Sequence, residues 1–212
     1  SYTNKNDIAC GINPEFNEIM WYYPSGSATQ IDRVVVYNYL EGTWYTSTLG
    51  RTTYLGNYTF ENPIATQYDA ALVANATTST GVTDTPYGVT AGASYVYNQE
   101  IGNNQADGTA LTASLTTGSI EIANGDQFMS VSKFVPDFTS LTNNVAVTLT
   151  LEDYPQSTTS QTTSGNVTST TTKINVRGRG RSVKLAFASD TVDDTNWRLG
   201  SMKLQLRPDG RR

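Results

Sequence analysis

The sequence predicts an all-β protein in which one or more propeller-like blades are followed by an antiparallel, sandwich-like domain. Three observations carry this. Tyr, Val, Ile and Thr are plentiful while only 16% of the 212 residues are charged, a composition suited to pleated, half-buried surfaces. No segment repeats its apolar residues at the period of an amphipathic helix. Short apolar runs instead alternate with Gly, Asn, Asp and Thr turns. The length allows one or two domains, each with a real core.

The chain begins at Ser1, and Asp7-Ile8-Ala9-Cys10 reads as the middle of a structured region, so further sequence upstream is expected. Residues 18–49, EIMWYYPSGSATQIDRVVVYNYLEGTWYTSTL, contain three strand-like runs at 18–23, 33–40 and 43–49. A Pro-Ser-Gly-Ser loop separates the first two and a tight Glu41-Gly42 turn the last two, which predicts an antiparallel meander. In the middle run Val35, Tyr37 and Tyr39 point to one side, and Val34, Val36 and Leu40 to the other. Both faces are apolar, so this strand is expected to be covered on both sides, as in a sandwich or between propeller blades. Trp21, Val35, Tyr37 and Trp44 are the expected blade core. The meander is assigned to a first domain at 1–66.

The second domain is assigned to 67–212. Its candidate strands are 69–74, 94–100, 111–115, 119–122, 128–135, 145–151, 173–176, 183–188 and 202–206. In the run 145–151, Val and Leu alternate with Ala and Thr, the one-sided pattern of a sandwich strand. The stretch 156–172, QSTTSQTTSGNVTSTTT, has almost no apolar residue and reads as a long exposed loop or hairpin tip.

Histidine is absent, which excludes imidazole acid–base chemistry, Ser-His triads and most zinc or iron sites. Cys10 is the sole cysteine, so no disulfide forms within the chain and a small buried apolar role is expected for it. No cofactor or metal is expected. Three Asn-X-Thr triplets, at Asn57, Asn75 and Asn166, are accidental matches in a Thr-rich chain. No run is long and apolar enough to span a bilayer, so a soluble protein without membrane insertion is expected.

Charge divides along the chain. Ten of the fourteen Lys and Arg lie in 173–212 with four acids, giving +6, while residues 1–172 carry −11. Such asymmetry calls for a partner surface or for compensation within the fold. At its centre stands INVRGRGRSVKL, residues 174–185. If extended, it places Arg177, Arg179 and Arg181 on one face roughly 6.5–7 Å apart. Gly178 and Gly180 leave the opposite face bare, so another backbone can approach. Three roles compete: pairing with carboxylates of the same chain or a neighbouring copy, contact with nucleic acid phosphates, or a disordered Arg-Gly segment. Arg198 and Arg207 in the terminal basic strands join them as candidates for assembly or phosphate contact.

The segments RVVVYNYLEGTWY…GRT, SYVYNQEIGNN, SKFVPDF, DYPQST, RGRGRSVKL and WRLGSMKLQLRPDGRR, taken in order, resemble the nozzle and hub proteins of short-tailed phage tails. These are the tail tubular and packaged-DNA stabilisation proteins. The resemblance runs from about Met20 to Arg212. It implies a structural virion protein with a β-propeller and attached β-domains, present as a homo-hexamer around the axial DNA channel. The implied neighbours are the portal, the adaptor and other tail proteins, with non-specific contact to genomic double-stranded DNA. Such a ring retains packaged DNA and later forms part of the ejection conduit; the family offers no catalytic residue to carry over.

Two rival functions frame that expectation. A glycosidase needs only two carboxylates, and Glu152, Asp153, Asp193 and Asp194 are the candidates, but adjacent carboxylates in a strand point to opposite faces and those of SDTVDDTN read as turn formers. No enzyme is expected. A host-receptor or glycan-binding module would display Tyr and Trp on exposed loops, and the Thr-rich stretch has none.

Overall fold

The computed structural model describes residues 7–69, 93–105, 108–154, 157 and 160–211. The described residues form an all-β chain of antiparallel sheets, none of them closed, without an α-helix. The chain divides into two compact units, Ser1–Ile101 and Gly102–Arg212.

In the first unit, β1 (Ala9–Asn13), β2 (Glu18–Tyr23), β3 (Arg33–Asn38) and β4 (Thr43–Ser47) form a four-stranded meander in chain order. The β3–β4 turn is set by local chemistry. The Asn38 side-chain oxygen accepts from the Leu40 and Glu41 amides at 3.1 and 2.9 Å, and Gly42 takes the left-handed φ of 69°. A second sheet follows, β5 (Thr53–Leu55), β6 (Ile64–Asp69) and β7 (Ala93–Asn98), in that order. β7 returns to pair with β6 from Ile64↔Asn98 to Asp69↔Ala93, within the unit Ser1–Ile101. The expected strand at 69–74 lies outside the described residues beyond Asp69.

The core of this unit is Met20, Tyr22, Val34 and Val36, packed by Ala9, Ile31, Leu49 and Tyr54. The residues expected to be the blade core occupy the opposite face. Trp21, Val35 and Tyr37 are half-buried there, and Trp44 is 61% exposed. Glycine explains the choice of face: a Cβ on Gly11 would stand 2.6 Å from the Tyr54 ring, so the bare Gly11 lets that ring settle over Met20's side of the sheet. Among the described residues the apolar outer face has no such cover. Cys10, paired with Trp21, shares it and is exposed rather than buried. Tyr37 and Trp21 both stack on Trp44, with ring centroids 4.4 and 5.9 Å away.

The second unit contains β8 (Ser114–Thr116), β9 (Ile120–Glu121), β10 (Met129–Val135), β11 (Phe138–Thr142), β12 (Val145–Glu152), β13 (Ser160–Val167), β14 (Ile174–Gly180), β15 (Ser182–Ser189), β16 (Asn196–Leu199) and β17 (Lys203–Pro208). One sheet runs β13-β12-β15-β8, with β9 also on β15; a second runs β14-β10-β17; β11 and β16 form a pair. Val145, Val147, Leu149 and Leu151 of β12 are all essentially sealed from solvent, as the alternation predicts. They join Met129, Val131 and Phe134 of β10 and Val183, Leu185 and Phe187 of β15 in one cluster. Each such side chain contributes roughly 1.5–3 kcal/mol on burial. An aromatic series crosses all three sheets: Phe134–Phe187, Phe187–Phe138 and Phe138–Trp197 centroids lie 6.2, 6.1 and 5.9 Å apart.

Part of the stretch expected to be a loop is a strand. β13 pairs with β12 over eight residues, from Val145↔Val167 to Glu152↔Ser160. At an edge position a strand needs backbone hydrogen bonds and β-branched residues more than apolar ones, and Thr supplies the branching. Thr168 to Thr171 then form the turn into β14. No helix of the described residues is long and apolar enough to cross a membrane.

Candidate functional site

β14 carries the arginine series further than the apolar run 173–176 predicts, continuing to Gly180. Val176, Gly178 and Gly180 face inward and are buried, while Asn175, Arg177 and Arg179 face outward. The glycines admit the other sheet. A Cβ on Gly178 would meet the tip of Leu151 at 2.7 Å, and one on Gly180 would meet the Glu152 carbonyl oxygen at 3.0 Å. The Arg181 amide donates to that carbonyl at 2.8 Å, fixing the crossing of β14 over β12.

The three arginines do different things. Arg179 donates from Nε to the Asp209 carboxylate at 2.7 Å and from Nη2 to the Asp209 carbonyl at 3.1 Å. Arg181 lies beyond the strand end, in the turn to β15. Its Nη1 donates to the Gly125 and Asp126 carbonyls at 3.0 Å each and its Nη2 to the Arg211 carbonyl at 3.2 Å. Both guanidinium groups lie over the Phe128 ring, at 4.0 and 4.7 Å from its centroid, a cation–π arrangement. Phe128 is itself bonded to the terminal segment: its amide donates to the Gly210 carbonyl, and its carbonyl accepts from the Asp209 amide, both at 2.8 Å. Two arginines therefore clasp residues 209–211 to the end of β10.

Arg177 makes no ion pair or side-chain hydrogen bond among the described residues. It belongs instead to a wider basic face. Strand pairing aligns Arg179 with Ser130 and Ser130 with Arg207, and aligns Lys133 with both Asn175 and Gln205. Lys203, opposite Val135, completes the outward face of β14-β10-β17. Arg177, Lys203 and Arg207 are exposed and Lys133 is half-buried. Lys133 and Lys203 gave no signal in the sequence, because nothing in a single chain says that β10 lies between β14 and β17. Arg198, on β16 opposite Thr139, is exposed but sits in a different sheet.

Two of the four carboxylates considered for catalysis, Glu152 and Asp194, have defined surroundings. Both Glu152 oxygens accept from Lys184 Nζ at 3.1 Å. Asp194 takes a positive φ of 60° in the turn before β16, its amide donating to the Asn104 side chain at 2.7 Å. Among the described residues no three His, Cys, Asp or Glu side chains converge as a metal-binding group.

In the first unit, fully buried Asn13 donates to Glu100 at 3.3 Å, and Tyr45 donates to Glu18 at 3.0 Å. Burial raises the pKa of Glu18, opposed by the Tyr45 hydrogen bond. Burial, then the charges of Glu18 and Glu15, raise that of Glu100. Arg51, 5% exposed, is held by Gln67, Gln99 and the Gly50 carbonyl and lies 4.5 Å over the Tyr97 ring. It ties the start of β5 to β6 and β7, a role that its place in the segment GRT did not disclose.

A scan against models of known protein families finds no match to this chain, and a search of curated proteins finds no significant one.

Proposed function

We propose that this chain is a structural component of a short-tailed phage tail, a nozzle or hub module. In this reading six copies form a ring around the DNA channel, between portal and adaptor above and other tail proteins below. The ring retains packaged DNA and later serves as part of the ejection conduit. The ordered sequence motifs support the reading, and one structural observation carries it furthest. The outer face of β1–β4 is apolar and open, with Trp44 61% and Ile12 48% exposed. Exposed apolar surface on that scale marks an interaction site, and a neighbouring propeller blade or copy would cover it. The second unit, with two sheets sharing one core, is read as the attached sandwich-like domain.

The test is the mass of the protein expressed from its full reading frame, measured by native mass spectrometry. A ring of six is expected, and replacing Trp44 and Ile12 together by Ser and Thr should release subunits. A protein that stays monomeric at micromolar concentration would sink the ring. The open Trp44–Tyr37–Trp21 stack also favours a second reading, a receptor or glycan platform. Quenching of tryptophan fluorescence by host surface polysaccharide in a monomeric protein would select it.

A further inference from the structure

Asn13 ends β1 with no exposure to solvent, yet its side-chain amide is only half satisfied. Nδ2 donates to Glu100 Oε1 at 3.3 Å, whereas Oδ1, on the same planar head, has no hydrogen-bond partner among the described residues. A buried acceptor left unpaired is rare and points to a ligand. Strand register sets Asn13 directly opposite Glu18, so both side chains leave the same face of the β1–β2 pair. Glu18 Oε1 accepts from the Tyr45 hydroxyl at 3.0 Å. One oxygen of each carboxylate is therefore held, and Oε2 of each is bonded to nothing among the described residues. The Tyr54 hydroxyl, also buried and unpaired, lies within reach of the charges of both glutamates.

We propose that Asn13, Glu18 and Glu100 form a calcium site, in which Asn13 Oδ1 and the free oxygens of the two carboxylates bind one ion and water completes its shell. Charge selects a cation over a water molecule. Water would satisfy Oδ1 but would leave the carboxylates without counter-charge. No Lys or Arg pairs with Glu18, Glu100 or the neighbouring Glu15 among the described residues, and Glu15 and Glu18 both act on Glu100. The buried base of this unit, Arg51, is taken by Gln67, Gln99 and the Gly50 carbonyl. Donor type selects the ion. Carboxylate and amide oxygens without imidazole or thiolate suit a hard cation. No three carboxylates converge among the described residues, so the amide oxygen is an essential donor. Calcium accepts such mixed oxygen sets in irregular geometry, whereas magnesium demands a near-ideal octahedron. Glu18 is half-buried and Glu100 exposed, which leaves the ion a route from solvent to the buried amide.

The test titrates calcium chloride into the protein expressed from its full reading frame and stripped with chelator. A Kd of about 10⁻⁴–10⁻³ M is expected, the weak end of calcium sites, because only two carboxylates contribute. Calcium at about 10 mM should raise the melting midpoint of the first unit by mass action, and magnesium at the same concentration should raise it less. Terbium, which substitutes for calcium, should emit when tyrosine is excited, since Tyr45 bonds to Glu18, and calcium should displace it. Glu100→Gln should weaken calcium binding by roughly tenfold or more. In chelator the same variant should melt above the wild type, because a repelled charge is gone, so its loss of binding is not a loss of fold.

A melting midpoint indifferent to calcium, with terbium emission absent, would overturn the proposal and leave water and protons as the occupants. Calcium binding that Glu100→Gln does not weaken would put the ion elsewhere on the chain and overturn it equally. Magnesium acting as strongly as calcium would overturn the choice of ion. The site is built within one unit of one chain, so it stands or falls apart from the ring.

Discussion

Arg179 and Arg181 differ in what they lose on substitution. The Arg179–Asp209 pair is 2.7 Å long, but both side chains are more than 40% exposed, and exposed pairs are worth about 0–1 kcal/mol. Arg181 is half-buried and donates to three backbone carbonyls, which would be left without it. Arg181→Gln should therefore destabilise the second unit by about 2 kcal/mol, and Arg179→Gln by under 1. Phe128→Ala removes the ring both guanidiniums cover and should cost about 3–5 kcal/mol. Denaturant titration ranks the three. Limited trypsin digestion should cut after Lys203 and Arg211 faster in the Phe128 variant. Equal stability of Arg181→Gln and wild type would refute the clasp.

Glu100 provides a second residue-scale prediction. Its folded-state pKa lies above the usual carboxylate value, so folding favours the protonated form. Stability of the first unit should rise as pH falls from neutral toward 4.5, and fall as pH rises through the folded pKa. Glu100→Gln should raise the melting midpoint of that unit at pH 7 and flatten its rise between pH 7 and 5. A lower midpoint at pH 7 would contradict this.

Among the elements, β14 and β12 show how a repeat of small residues sets sheet distance. Gly178 faces the flexible tip of Leu151, which can shift, whereas Gly180 faces the Glu152 backbone, which cannot. Gly180→Ala should cost about 1–3 kcal/mol and more than Gly178→Ala, measured by urea unfolding. The reverse order would mean that Leu151, not the backbone, limits the approach. The sequence supplied this reading in outline, because glycine at every second position of a strand strips one face. It did not name the strand opposite. β13 went unrecognised for a related reason: Ser and Thr at consecutive positions carry no apolar alternation, and only the eight-residue register with β12 makes them a strand. β10, β12 and β15 were legible because each keeps apolar residues on one face over five or more positions.

For the whole molecule, the charge division becomes local once the units are drawn. Residues 102–212 hold eleven bases and ten acids, and residues 1–101 hold three bases and nine acids. The excess of the terminal strands is thus largely met inside the second unit, as Lys184–Glu152 and Arg179–Asp209 illustrate. What remains is the four-cation face of Arg177, Lys133, Lys203 and Arg207 on β14-β10-β17. The open aromatic face of β1–β4 remains as well, and with it the expectation of a ring.

The sequence by itself determined the β class, the positions of most strands, the absence of histidine chemistry and the clustering of arginines. All of these follow from residue type and spacings of a few positions. Only the tertiary structure decided which side of β3 is buried, since Val34, Val36, Val35 and Tyr37 make its two faces equally apolar and pattern cannot choose between them. It also decided which arginines are engaged. The partners of Arg179 and Arg181 stand 30 to 56 residues away in the chain, and side chains so distant meet only through the order in which strands pair.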